Sequence, residues 1–261
     1  MFQTEGTILT NRRIKASYYH LCLEVPAVAG IAQPGQFIHI KCGDGFRHLL
    51  RRPVSIHGID RSRGCLELLF EVKGSGTAWL AERKGGESLD LLGPLGNGFP
   101  IEPGYQNVLL VAGGIGIAPM FCLARELRLR QVEVIMLMGA KNKEWLLLEK
   151  ELKDLGIVLH IATDDGSLGH HGFVTDILPH LVSQNTVDCL YACGPQGMLA
   201  GIGKMAPALD LSCYVSLEER MACGVGACRG CVVGIKDSAG NIGYKNVCSD
   251  GPVFAVEEVV F

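Results

Sequence analysis

Val108-Leu-Leu-Val-Ala-Gly-Gly-Ile-Gly-Ile-Ala-Pro119 is the stretch on which the fold turns. Five apolar residues run without a polar break and stop at glycine. Such a run reads as a strand buried on both faces of a parallel sheet. Gly113, Gly114 and Gly116 then allow a tight turn, and a helix is expected from Ala118 to about Arg130. A glycine-rich turn between strand and helix lets the backbone approach a diphosphate, whose charge the helix N-terminus favours. The turn departs from the full G-x-G-x-x-G fingerprint, because Pro119 stands where the third glycine would be. The plain alternative is an ordinary tight turn.

Reading outward from this turn, strands and helices alternate. Val132–Met138 reads as strand, Glu144–Leu155 as helix and Ile157–Ile161 as strand. Phe173–Leu181 reads as a helix interrupted near Pro179, and Cys189–Cys193 as the next strand. This alternation predicts an α/β layer with a parallel sheet over residues 101–210. Residues 1–100 differ: short strand-like segments such as Tyr18–Val25, Gln36–Ile40 and Cys65–Val72 are divided by Pro-Gly and Gly-Asp turns. With one short helix near Gly76–Arg83, they predict a small antiparallel β-barrel. Residues 211–261 form a tail with few long apolar runs, too small to fold on hydrophobic burial alone.

That tail carries Cys223, Cys228, Cys231 and Cys248, spaced C-x4-C-x2-C-x16-C. This is the plant-type pattern for a [2Fe-2S] cluster, a one-electron carrier. Zinc sites place their cysteines in two close pairs, so the pattern favours iron–sulfur over zinc. Backbone N–H groups of Gly224, Val225, Gly226 and Ala227 are expected to reach the sulfurs, with the glycines allowing the tight wrap. A cluster would hold the tail together.

Further seats for phosphate and ribose lie along the chain. Arg51 and Arg52, before Pro53, Val54 and Ser55, offer rigid forked donors to phosphate oxygens; a solvated strand edge is the alternative. Gly74, Ser75, Gly76 and Thr77 offer N–H groups and a hydroxyl at a helix start, where Thr77 could equally be an N-cap. Asp164 and Asp165 follow a strand and could accept hydrogen bonds from a ribose diol, favouring NAD over NADP; a polar turn is the alternative. Cys193, before Gly194 and Pro195, ends a parallel strand where it could border the ligand crevice or simply be buried.

Composition narrows the classes. The 261 residues are 48% apolar, enough for more than one core. A net charge of −3 and a lack of basic stripes with interleaved aromatics argue against nucleic acid as partner. Eleven cysteines, an odd number with several in apolar runs, fit thiols in a reducing compartment better than a disulfide framework. With no apolar stretch of eighteen residues and no signal-like N-terminus, the expectation is a cytoplasmic chain without a membrane span.

The order Arg52-Pro-Val-Ser55, Gly74-Ser-Gly-Thr77, Gly93-Pro-Leu-Gly-Asn-Gly-Phe99, Gly113-Gly-Ile-Gly-Ile-Ala-Pro119, Asp164-Asp-Gly-Ser167, Cys193-Gly-Pro195 and then the cysteines resembles the ferredoxin–NADP reductase superfamily. Within it, the chain resembles the electron-transfer subunits of the bacterial NAD-dependent, type B dihydroorotate dehydrogenases, over essentially its whole length. The resemblance implies an FAD-binding barrel at 1–100, an NAD-binding domain at 101–210 and a [2Fe-2S] domain at 211–261. It implies that Arg52 meets the FAD diphosphate, that Ser55 lies near the isoalloxazine, and that Pro53 and Val54 belong to the same flavin motif. Gly74 to Thr77 match its second phosphate-contacting stretch. Gly113, Gly114 and Gly116 match the nicotinamide nucleotide loop. Cys193 matches a cysteine close to the nicotinamide, and the four tail cysteines match the iron ligands. One departure is Val54, which stands where many of these reductases carry a flavin-stacking tyrosine; valine offers apolar cover without stacking.

The resemblance also implies a partner: an FMN-containing catalytic subunit that oxidises dihydroorotate in pyrimidine biosynthesis, in a heterotetramer with two of each chain. Electrons would pass between that subunit and NAD+ through the cluster and FAD. The same three modules would serve an NAD(P)H:acceptor reductase subunit of a ferredoxin-, sulfide- or hydrogenase-linked complex. An exposed apolar docking patch is expected at Gly230–Val233 and Val253–Val256.

Overall fold

The first strand, β1 (Phe2–Lys15), is long enough to pair with two different neighbours. Its start lies antiparallel to β6 (Ser88–Leu95), and from Thr7 onward it lies antiparallel to β2 (Tyr18–Glu24). The sheet continues through β5 (Cys65–Glu71), β4 (Arg52–Asp60) and β3 (Phe37–Ile40), and β3 returns to β6. The six strands thus close as β1-β2-β5-β4-β3-β6, with no free edge. Alternation drives the closure: Leu21, Leu23, Leu66, Leu68, Ile38, Ile40 and Leu91 are fully buried. Two short helices accompany the barrel, α1 (Pro26–Ala29) and α2 (Ser75–Ala81).

The computed structural model describes residues 1–43 and 48–261. The chain divides into two units, each discontinuous in sequence. The first joins Met1–Gly98 to Glu218–Val232 and Asn246–Pro252; the second joins Phe99–Leu217 to Val233–Lys245 and Val253–Phe261. The cysteine-bearing tail is therefore shared out: its four tail cysteines belong with the barrel. The physical reason is local. Asn97 donates through its backbone N–H to the Gly251 carbonyl (2.6 Å) and through its side chain to the Asp250 carbonyl (2.9 Å), which ties the segment around Cys248 to the end of the barrel.

The second unit is built on a seven-stranded sheet. Its centre is β7 (Asn107–Gly113), whose residues from Val108 on are buried. Then come α3 (Ile117–Leu129), β8 (Glu133–Ala140), α4 (Glu149–Asp154), β9 (Val158–Thr163), the short β10 (His170–His171), α5 (Val174–Gln184), β11 (Cys189–Cys193), α6 (Gln196–Leu209) and β12 (Ser212–Ser216). Two more strands, β13 (Val232–Lys236) and β14 (Ile242–Asn246), form a small sheet with β16 (Val259–Val260), while β15 (Val253–Ala255) pairs antiparallel with β12. The large sheet runs β10-β9-β8-β7-β11-β12-β15, with every pair but the last parallel. Chain order thus runs one way from β7 to β10 and the other way from β11. The reversal falls between β7 and β11, where ligands bind in such sheets, beyond the strands' carboxyl ends.

Three sequence expectations differ from the structure. The helix expected over Glu144–Leu155 is a 3-10 turn at Lys143–Trp145, a break, and then α4. Leu146 and Leu147 are buried in the break, since three consecutive leucines cannot share one helix face. The interruption expected near Pro179 is absent: α5 runs through it. Proline deletes one donor, but Val174, Leu178 and Leu181 keep one buried face. Val253–Val256 is no exposed patch, because Val253, Phe254 and Val256 are buried. In the other half of the expected patch Val232 is exposed, while Cys231 is buried. Among the described residues, no helix is long and apolar enough to cross a membrane.

Candidate cluster loop and nucleotide seats

The cysteine loop is shaped by two glycines in the left-handed region, Gly224 (φ +74°) and Gly226 (φ +79°), a conformation that costs other residues about 1–2 kcal/mol. These turns aim backbone N–H groups inward. Val225 N–H donates to Cys223 Sγ (3.4 Å), Gly226 to Cys248 Sγ (3.1 Å), Cys228 to Cys223 Sγ (3.4 Å) and Gly230 to Cys228 Sγ (3.4 Å). Val225 and Gly226 are thus donors, as the sequence suggested; Cys228 and Gly230 are additions. Cys231 and Cys248 are buried, Cys223 half-buried and Cys228 exposed.

The thiols respond to this setting. Burial pushes Cys223 up, but the N–H groups of Val225 and Cys228, the Cys228 thiol and the Ala227 N–H outweigh it and bring the thiol down to about 6. Burial and then the Cys231 thiol push Cys248 up to about 12, against the Gly226 N–H. Cys223 interacts with Cys228, and Cys231 with Cys248. A single tetrahedral zinc would draw all four sulfurs to about 3.8 Å of one another. Among the described residues, His20, His57 and Glu67 are the one trio of ligand groups whose atoms all lie within 4.8 Å, so no three of the cysteines do. A set of two pairs on N–H-lined turns fits two irons bridged by sulfide better than one metal ion.

The barrel strand beside this loop carries a residue the sequence reading passed over. His39 of β3 is fully buried, and neither ring nitrogen has a hydrogen-bond partner. A methyl group on Gly224 would lie 2.6 Å from its Nδ1, so only glycine fits there. Burial, then Arg51, pulls the ring's pKa down to about 4, against smaller opposing effects of the Arg51 and Cys223 backbones. The available signal was a lone polar residue in the apolar strand Phe37-Ile-His-Ile40.

On the same barrel, the structure separates the two arginines. Arg51 is tied to Asp90 through both carboxylate oxygens at 2.8 Å and so serves the fold. Arg52 lies over α2: a methyl group on Gly76 would collide with its guanidinium. A fixed cation therefore meets the start of Gly74–Thr77, while the space beside Gly74 is open. Thr77 Oγ1 accepts from Lys73 N–H (3.0 Å) and Gly74 N–H (3.2 Å) and donates to the Gly74 carbonyl (3.0 Å), so its hydroxyl closes the turn. A guanidinium beside the first turn of a helix is chemistry for a diphosphate. In β4, Pro53 is exposed, Ser55 half-buried and Val54 buried, opposite His39, Phe37 and Ile38 of β3.

In the second unit, the turn after β7 and the end of β11 pack backbone to backbone. A methyl group on Gly116 would collide with the Cys193 carbonyl, and one on Gly194 would lie 2.9 Å from the Gly113 nitrogen. Pro195 and Met198 fill the space beside Gly113. Gly114 (φ +54°) makes the turn and has open space beside its Cα. The glycine loop and Cys193 thus meet at the switch point, and Cys193 is buried. Asp164 and Asp165 lie just beyond β9 and are exposed. Asp165 Oδ1 accepts from the Ser167 N–H (2.9 Å), and bonds from Ser167 hold its pKa below the usual carboxylate range. That charge stands at the carboxyl edge of the same sheet. Of the other cysteines, Cys42, Cys65, Cys122, Cys189 and Cys213 are buried and Cys22 half-buried.

Comparison with known proteins names the arrangement. Residues 218–260 match the iron-sulfur cluster binding domain of dihydroorotate dehydrogenase B, and residues 110–204 match the oxidoreductase NAD-binding domain. The dihydroorotate dehydrogenase B (NAD(+)) electron transfer subunit of Bacillus cereus strain Q1 is 42% identical over the full length of both chains. The chain belongs to this family. The corresponding subunit of Bacillus anthracis strain CDC 684 is likewise 42% identical over both full lengths. Among solved structures, one of the NADH-dependent reduced ferredoxin-NADP oxidoreductase matches with a TM-score of 0.86 and 32% identity, over 98% of this chain and 89% of that one. A ferredoxin NADP+ reductase from Neisseria gonorrhoeae shares the fold, at a TM-score of 0.67 and 18% identity over 83% of this chain and 94% of that one. As a dihydroorotate dehydrogenase B-type electron transfer subunit, the chain combines an iron–sulfur binding segment with an FAD/NAD-binding reductase fold.

Proposed function

We propose that this chain carries electrons between a dihydroorotate-oxidising flavoprotein subunit and NAD+, through a [2Fe-2S] cluster and FAD, in pyrimidine biosynthesis. The observation that carries the reading is the pairing of four cysteine sulfurs on N–H-lined turns, in a chain 42% identical end to end to such subunits. Bound FAD supplies the conversion between a hydride and single electrons, and the cluster supplies a one-electron carrier.

The chain's own residues bind and orient these groups. Cys223, Cys228, Cys231 and Cys248 hold the irons, and the N–H groups of Val225, Gly226, Cys228 and Gly230 stabilise negative charge on the sulfurs. Arg52 and Gly74, Ser75, Gly76 and Thr77 hold the FAD diphosphate. Pro53, Val54 and Ser55 would border the flavin, with Ser55 near its ring. Gly113, Gly114 and Gly116 receive the NAD diphosphate, and Asp164 and Asp165 receive ribose hydroxyls and repel a 2′-phosphate. Cys193, at the carboxyl end of β11, positions the nicotinamide. The units of function are an FAD-binding barrel at 1–100, an NAD-binding domain at 101–210 and a cluster domain at 211–261.

No residue of this chain is needed to take protons from dihydroorotate, so the partner is an FMN-containing catalytic subunit, joined in a heterotetramer of two of each chain. The working place is the cytoplasm. A second reading, a subunit of an NAD(P)H-linked ferredoxin reductase complex, draws on the 32% identity to the NADH-dependent reduced ferredoxin-NADP oxidoreductase structure. The deciding experiment is purification of the chain from its cell with whatever accompanies it, assayed for dihydroorotate-dependent reduction of NAD+. Orotate and NADH in equal amounts are expected. Ferredoxin-dependent turnover without orotate would move the chain to the second reading.

A further inference from the structure

His39 has no assigned part in the scheme above, yet its setting is unusual for a structural residue. It is fully buried on β3, and both ring nitrogens lack a partner. Whichever tautomer it adopts, one nitrogen carries a proton and the other a lone pair. A buried N–H with no acceptor is costly, so native structures rarely keep one. The polar groups that act on the ring include Arg51 and the backbone of Cys223 in the cysteine loop. Nδ1 faces Gly224, which sits between the ligand Cys223 and the sulfur-directed N–H groups of Val225 and Gly226. On the other side, His39 pairs in register with Pro53 of the flavin strand, a residue with no N–H of its own. Its carbonyl receives Arg51 Nη1 at 3.5 Å, which fixes the backbone, while the Arg51 and Cys223 backbones approach the ring without completing a hydrogen bond of good geometry.

We propose that His39 is a positioning residue for the iron–sulfur centre: its buried ring N–H, held at the Cys223–Gly224 turn, donates to a sulfur of the cluster. The proposal rests on the reading that the loop holds a [2Fe-2S] cluster. Three roles follow from one contact. The ring supplies a side-chain donor beside the backbone donors. It keeps position 224 free of any side chain, so that the loop wraps closely. It also links the Cys223 turn to the strand that carries the flavin motif. Donors to cluster sulfurs raise the reduction potential by stabilising the added electron, so His39 is expected to make the cluster a better acceptor.

The test uses the protein isolated with its flavin, its cluster and its catalytic partner. Histidine is labelled with 15N, the cluster is reduced with dithionite, and weak nitrogen couplings are read by pulsed electron paramagnetic resonance. A histidine 15N coupling is expected in the wild type and is expected to vanish in His39→Leu. Redox titration should show a lower cluster potential in His39→Leu with the FAD potential unmoved. His39→Asn, which offers an amide N–H near the place of Nδ1, should recover part of the loss. A [2Fe-2S] signal without any histidine coupling would overturn the proposal while leaving the cluster reading intact. So would a shift in the flavin potential alone, which would assign the ring to the FAD. Absence of the [2Fe-2S] signal itself would instead sink the reading on which the proposal rests. If His39→Leu fails to fold, the coupling from labelled histidine is expected to vanish in His39→Asn instead.

Discussion

Two glycine-rich loops, one in each unit, carry the candidate sites, and they are supported differently. The loop after β7 extends a buried strand; its Gly116 is demanded by neighbouring backbone, lying against the Cys193 carbonyl, and its Gly114 by the turn at φ +54°. The cysteine loop's glycines are demanded by conformation, at φ +74° and +79°, and its polar groups converge on four sulfurs. The first loop is formed by the sheet before any ligand arrives. The second aims four backbone N–H donors at its sulfurs, the setting an anionic cluster calls for.

The sharpest way to break this comparison is to remove one ligand from the second loop. Cys231→Ala is expected to abolish iron binding and visible cluster absorption, while NADH still binds. Hydrogen exchange should then rise across 218–232 and 246–252 and stay unchanged in β7, β8 and β11. Faster exchange in β7 would show that the loops are not independent. Gly116→Ala is expected to strike the first loop, because its methyl group has only the Cys193 carbonyl to enter; overpacking of this kind costs about 1–3 kcal/mol. Chemical denaturation should register that loss, with the iron content unchanged.

Arg52→Ala tests a third seat that belongs to neither loop. Losing a charge-assisted hydrogen bond is worth about 1.5–3 kcal/mol, or about a 10- to 100-fold weaker grip on FAD. Flavin released on dialysis would measure it, and full retention would remove Arg52 from the diphosphate site. Cys193→Ala is expected to slow flavin reduction by NADH with little loss of FAD, as rapid-mixing absorbance would record. Unchanged reduction would leave Cys193 a packing residue of β11. The smallest effect is expected from Asp165→Asn, a modest rise in the use of NADPH relative to NADH, read from steady-state rates with each nucleotide.

The fold was written plainly where the period is simple. β2, β5, β7 and β11 follow from alternation or from an unbroken apolar run, and the structure places their ends within a residue or two of that reading. It was less plain where local signals compete. Pro179 predicts a break that the buried face of α5 overrides, and Leu146–Leu148 looks helical until two leucines turn into the core. In the site, the cysteine spacing needs no tertiary knowledge, since C-x4-C-x2-C is a short-range pattern. The part of Arg51 could not be read, because Asp90 lies far along the chain on another strand.

The sequence by itself determined the C-x4-C-x2-C-x16-C pattern, the glycine turn after a buried strand, and the order of barrel, sheet and tail. Each of these is a short-range pattern, fixed by spacing, periodicity or the conformational freedom of glycine. Only the tertiary structure decided that the four tail cysteines belong with the barrel, that Arg52 rather than Arg51 faces Gly76, and that His39 stands unpaired behind Gly224. Those facts depend on which distant strands become neighbours when the barrel closes, and closure is a long-range property that no local pattern carries.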